Sequence, residues 1–202
     1  MQVIMGELKT NQPQTDWEKR AELRGKFVGR AKQYLEANPH ARQQLAKSFG
    51  KSITKVDSDE IVSLFEVLTD EIYEEENLSF SSNNKLDAYF FVLTMMAYDA
   101  KKTEKTDDVR MEEELRTMYH KSTTSESTKR KIRTLIGSHF GSNGEFQKHL
   151  ASLVKQMQDR NGLNYIRLLQ DLCNWNWCNG ESNVSNTCQR WSKTIFLSKE
   201  EL

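Results

Sequence analysis

The chain has 202 residues with 29 basic and 29 acidic side chains, a formal net charge of zero and a mean hydropathy of −0.75. That length can bury a core without disulfides or metals, while the balanced charge argues against a nonspecific polyanion binder. No window approaches the ~20 consecutive apolar residues of a membrane span, and with two prolines and abundant Glu, Lys, Gln and Leu the composition predicts an all-α protein.

The opening MQVIMGELKTNQPQ reads as a polar lead-in without the charged and then apolar segments of an export leader, so a cytoplasmic protein is expected. Thr15-Asp16-Trp17-Glu18 is a capping-box pattern that starts the first helix, with Trp17, Ala21, Phe27, Val28, Ala31, Tyr34 and Leu35 as an imperfect apolar stripe. Gly25 and Gly29 within it either weaken the helix or admit a close neighbour. Asn38-Pro39 opens a short helix that Gly50 ends. Asp57 and Glu60 then cap an acidic helix, read as continuous to Glu76, in which Ile61, Leu64, Phe65, Leu68 and Ile72 share one face. The most apolar run, Leu86 to Tyr98, is hydrophobic nearly all round and predicts the central helix, with Met95 and Met96 as core filling.

Two polar breaks, 99–109 and 120–128, flank a helix from Arg110 to Tyr119. They suggest two helical bundles joined by a polar linker, 1–119 with its lead-in and 120–202. The second opens with a helix from Lys129 in which Ile132, Leu135 and Ile136 face inward. Ser142 and Glu145 suggest a capping box for a helix burying Phe146, Leu150, Leu153, Val154 and Met157. In the last hairpin Tyr165, Leu168, Leu169, Leu172 and Trp175 recur at helical spacing. After a polar break, Val184, Cys188, Trp191 and Ile195 do so again, with Arg190 and Lys193 pointing elsewhere. Trp175, Trp177 and Trp191 read as packing residues.

Charge is unevenly distributed. From Trp17 to Lys55 there are ten bases against three acids, from Asp57 to Glu76 nine acids and no base, and from Lys129 to Arg167 eight bases against two acids. One face suits an anion and another something else. Lys129, Arg130, Arg133, Lys148 and Lys155 fall on outer faces of neighbouring helices, and Lys47, Lys51, Arg190 and Lys193 join them as candidate nucleic-acid contacts. The plain alternative is the ordinary solvated charge of a soluble bundle. Cys173, Cys178 and Cys188 lack the paired spacing of a zinc site and read as buried free thiols, and His40, His120, His139 and His149 have no partner at a motif spacing. No phosphate-binding glycine loop, metalloprotease motif or nucleophile elbow is present, so neither a catalytic residue nor a metal or other cofactor is expected.

Taken in order, several segments resemble the small subunit of the type I-E CRISPR surveillance complex Cascade, the CasB family. Ala41 to Gly50 (ARQQLAKSFG) is similar to its early "aralRRa-G" segment, Phe90 to Ala97 to its apolar helix, and Lys131 to Ile136 to its "RfraLL" element. Phe146 to Lys155 resembles "eLxxhLrrlv", Leu163 to Leu172 followed by Trp175 resembles "idyxxLlxDLxxW", and Arg190-Trp191 the terminal "rrrWaxxf". The resemblance spans about residues 27–197. It implies an all-helical, non-catalytic subunit present as a pair of copies beside the other complex subunits, the guide RNA and the target DNA. There its basic surface holds the backbone of the displaced DNA strand and stabilises the R-loop. Ala46-Lys47 and Cys188-Gln189 stand where the family is more basic, which shifts the expected contacts toward Lys129, Arg130 and Arg133. A helical protein-interaction module without a nucleic-acid role is the competing reading.

Overall fold

A computed structural model describes residues 15–80, 84–99, 109–141, 144–157, 162–175 and 186–197. Ten α-helices and no strand occur among them. The expectations resting on Val184, Trp177 and Cys178 lie outside the described residues.

Helix α1 (Asp16–Ala37) starts where the capping box predicts, the Thr15 N–H and hydroxyl both donating to the Glu18 carboxylate at 2.9 and 2.7 Å. It buries Leu23, Phe27, Val28, Ala31 and Leu35. Trp17, expected in the stripe, is instead 63% exposed, because it precedes the first turn that meets the core. Helix α2 (Pro39–Lys47) begins on Pro39, whose missing N–H costs nothing at a helix start. The acidic segment is two helices, α3 (Ser58–Val67) and α4 (Asp70–Glu75). Leu68 and Thr69 are extended between them, and the Thr69 hydroxyl restarts the second helix by accepting the Ile72 N–H at 3.2 Å.

Helix α5 (Lys85–Asp99) is the centre, with every residue from Leu86 to Ala97 buried. Helices α1, α2, α3 and α9 (Tyr165–Cys173) pack around it, and α9 also lies on α1. Gly25 lies at the α1–α9 contact, where an added Cβ would sit at an ordinary packing distance of 3.7 Å from Ile166 Cδ1, and Gly29 has no neighbour within 4 Å, so neither position demands glycine. Helix α6 (Met111–His120) packs on α7 (Glu126–Ile136) and α10 (Asn186–Phe196), and α7 pairs with α8 (Glu145–Gln156). Ser125 caps α7 by accepting the Thr128 N–H, so the helix starts three residues before the expected Lys129, and left-handed Gly144 precedes α8, while Ser142 of the expected capping box lies outside the described residues.

An aromatic ladder runs through the second half of the chain. Phe140, Phe146, Trp175 and Trp191 meet edge to face in succession, with centroids 5.4, 4.6 and 5.1 Å apart. Trp175 and Trp191 are buried, as their spacing predicts. No helix among the described residues is long and apolar enough to cross a membrane, and no group of three or more His, Cys, Asp or Glu among them could hold a metal ion. Cys188 is buried and Cys173 half-buried, both as free thiols. Burial pushes the Cys173 thiol up to about 12, so it stays protonated and unreactive.

Candidate nucleic-acid interface

The candidate surface is built outward from α8. Its core stripe of Phe146, Leu150, Leu153, Val154 and Met157 is buried, so at helical periodicity Lys148 and Lys155 emerge on the opposite side, where both are exposed. On one flank lies the turn after α2. Gly50 there has φ +95°, and a Cβ added to it would fall 2.7 Å from Ala151 Cβ and 3.9 Å from Lys148 Cα, a packing that only glycine permits. The turn is anchored from the core side by Asp87 of α5, whose carboxylate accepts the Ser52 hydroxyl at 2.9 Å and the Ile53 N–H at 2.8 Å. Burial raises the Asp87 pKa, and these two donors hold the shift down. Lys51, next to Gly50, is exposed and is thereby brought close to Lys148, and Lys47 at the end of α2 is exposed as well. Phe49 stacks on Tyr98 at 5.2 Å, and the Lys155 ammonium lies over both rings at 5.6 and 5.8 Å. Cation–π attraction of this kind restrains a lysine without neutralising it.

On the other flank α7 runs antiparallel to α8. Lys131 donates to the Ser152 hydroxyl at 2.7 Å and Thr128 to the Gln156 carbonyl at 3.1 Å, which fixes the register. With Ile132 and Leu135 buried, Arg130 faces outward and Arg133 leans toward α6. The Arg133 guanidinium donates to the Tyr119 hydroxyl at 3.0 and 2.6 Å, so its plane is held while its remaining N–H groups stay available for an anion. Lys129 is half-buried and pairs with Glu126 at 3.3 Å. Across the surface the order is therefore Lys47 and Lys51, Lys148 and Lys155, Lys131, Arg130, and Arg133. Lys131 was missed in the sequence because it follows two stronger candidates and its position between helices has no local signal.

The two remaining candidates lie on α10. Lys193 is exposed on its last turn. Arg190 is not a free cation: it pairs with Asp171 of α9 and, through Nε at 3.3 Å, with Glu112 of α6. The same Asp171 oxygen accepts the Trp191 indole N–H at 2.9 Å, and Arg167 approaches the other at 3.6 Å. Asp171 is 2% and Glu112 1% exposed. Burial, followed by repulsion from Asp171, raises the Glu112 pKa against the pull of Arg190. Arg190 thus joins α6, α9 and α10 from within, because two buried carboxylates need its charge more than water does. The sequence placed it on an outer face because helical spacing cannot show what lies opposite.

The acidic segment is also less uniform than its composition. Glu60 is buried and accepts the Ser48 hydroxyl at 2.8 Å, while Glu76 is buried against Arg24 in a two-pronged pair at 2.8 and 3.0 Å. Lys19 and Lys26 of α1 pair with Glu75 and Glu71. The other acids of this segment are exposed, and among them Val62, Phe65 and Phe80 are 55%, 39% and 54% exposed.

No curated protein and no solved structure matches the chain. A family model described as CRISPR-associated protein Cse2 matches residues 42–194, a span that holds the turn after α2, the α7–α8 pair and the Asp171–Arg190–Trp191 cluster. The chain belongs to this Cse2 (CasB) family, a family of structural, non-catalytic subunits of the type I-E surveillance complex Cascade.

Proposed function

We propose that this subunit holds the sugar–phosphate backbone of the DNA strand displaced when guide RNA pairs with its target, and so stabilises the R-loop. The observation that carries the reading is the outward band in which α8 collects Lys51, Lys148 and Lys155 from one side and Lys131, Arg130 and Arg133 from the other. Long cationic side chains on exposed helix faces suit phosphates, whereas groove readout needs an element fitted to a duplex. R-loop exchange is nearly balanced, so modest backbone contacts shift it. Lys47, Lys129 and Lys193 border the band, and Arg190 acts from beneath it as a structural residue.

The acidic α3–α4 face serves a different role in this reading. Its carboxylates repel phosphates, and its exposed Val62, Phe65 and Phe80 suit a protein neighbour in the complex, either another subunit or a second copy of this chain. The division into bundles at 119 and 120 enters as a proposal about how two neighbours are engaged separately.

The test is R-loop lifetime in the assembled complex with Arg130→Ala/Arg133→Ala at two salt concentrations. Lifetime should shorten. In direct binding, the log–log salt slope should fall by about 1.4, from about 0.7 per phosphate contact on single strands. An unchanged lifetime with the variant incorporated would remove these arginines from the interface and favour a protein-interaction module.

A further inference from the structure

Five large apolar side chains are exposed among the described residues, and three of them, Val62, Phe65 and Phe80, belong to the α3–α4 face. With Glu60, Ser63, Leu64 and Val67 turned inward, helical periodicity carries Val62 and Phe65 to the outer side of α3. The Phe65 ring meets half-buried Tyr73 of α4 at 5.9 Å and Phe80 at 6.0 Å between centroids, so the three rings form a continuous patch that Val62 extends by one turn. Exposed carboxylates border it: Asp59 and Glu66 lie one turn to either side of Val62, and Asp70 and Glu74 share the Tyr73 side of α4. The bases that reach this segment serve other groups. Lys19 and Lys26 pair with Glu75 and Glu71, Arg24 pairs with Glu76, and the Arg30 guanidinium donates to the Val67 and Glu66 carbonyls. The surface is apolar at its centre and negative at its rim.

We infer that this face docks a basic segment of a different protein subunit, one that presents an apolar side chain between arginines or lysines, an inference that rests on the reading above of this face as the side turned to a protein neighbour. The apolar anchor covers the rings, the flanking cations meet the carboxylates, and a guanidinium fits over an aromatic face as well. Nucleic acid is disfavoured because its phosphates would oppose the acidic rim. A second copy offers no such segment among its described residues. Its basic band carries no exposed large apolar side chain, and the cations beside exposed Trp17 and Ile166 are occupied, Lys19 with Glu75, Arg20 with Asp16 and Arg167 with Asp171.

The experiment replaces Phe80, exposed and therefore tolerant, by the photoreactive benzoylphenylalanine in the full chain, irradiates the assembled complex and identifies the crosslinked peptide by mass spectrometry. The crosslink should fall in a stretch of another subunit with net positive charge. A second variant, Glu66→Lys/Glu74→Lys, should bind a complex lacking this subunit about tenfold more weakly, on the scale of two reversed rim contacts, with the loss shrinking at high salt. Both positions lie in the last turns of α3 and α4, where a cation suits the helix dipole, so this variant should melt with its parent. A crosslink to a neutral or acidic stretch, or unchanged affinity of the charge-reversed variant, would overturn the basic partner. A crosslink to a second copy would overturn it and leave the protein-neighbour reading standing, whereas a crosslink to nucleic acid, or none in a complex that contains the photoreactive chain, would overturn both.

Discussion

Replacing Asp171 by Asn tests whether the cluster beneath α10 is structural. The asparagine can still accept the Trp191 N–H now made at 2.9 Å, so the change removes charge and little else. Arg190 then keeps only Glu112, and Arg167 loses its nearby carboxylate oxygen at 3.6 Å. Removing one member of a fully buried pair costs about 3–5 kcal/mol. The two arginines are 30% and 33% exposed, so water recovers part of this and the cost reduces to about 2–3 kcal/mol. At ~2–4 °C per kcal/mol for a chain of this size, Tm should fall by about 4–12 °C in a calorimetric or circular-dichroism melt. Arg190→Ala should lower Tm similarly, yet leave the salt slope of strand binding unchanged when measured well below both melting transitions. An Asp171→Asn protein melting with its parent, or an Arg190→Ala protein with a reduced salt slope, would refute the assignment of Arg190 to the interior.

Trp191→Ala should destabilise by about 3–5 kcal/mol in urea denaturation, since Trp191 is fully buried against Trp175, and an unchanged midpoint would defeat this. Gly50→Ala should cost about 2–5 kcal/mol, combining a left-handed backbone with a Cβ 2.7 Å from Ala151, and should weaken strand binding by moving Lys51 away from Lys148. Equal stability of that variant would show that α8 does not press on the turn. Glu112→Gln should stabilise the protein at neutral pH. Because burial raises the folded Glu112 pKa above its unfolded value, its contribution to stability is present at acidic pH and lost as pH rises through the folded pKa. The Gln variant's advantage should therefore shrink on acidification, and an advantage that grows there would reverse the sign of the argument.

Helical class, the central position of Leu86 to Tyr98, the Thr15–Glu18 start and the burial of Trp175 and Trp191 were all legible in the sequence. Each depends on spacing or capping within a few residues, and local periodicity reports which face of a helix meets a core. The order of degenerate segments likewise pointed to the family that the match over residues 42–194 establishes. What local spacing could not carry is the identity of the group across the gap. Arg190 and Lys193 sit three residues apart on one helix with equally basic side chains, yet one meets two buried carboxylates from other helices and the other meets water. Glu60 and Glu76 likewise left the acidic face for partners on α1 and the turn after α2. Lys51 and Lys148, remote along the chain, come close only because Gly50 lets α8 approach that turn, and Arg130 sits on the helix that the Lys131–Ser152 bond sets against α8. The chain's own pattern determines which residues must be buried. Whether a charge then serves the interior or the surface depends on which helices pack together, since desolvation and Coulomb attraction act through space.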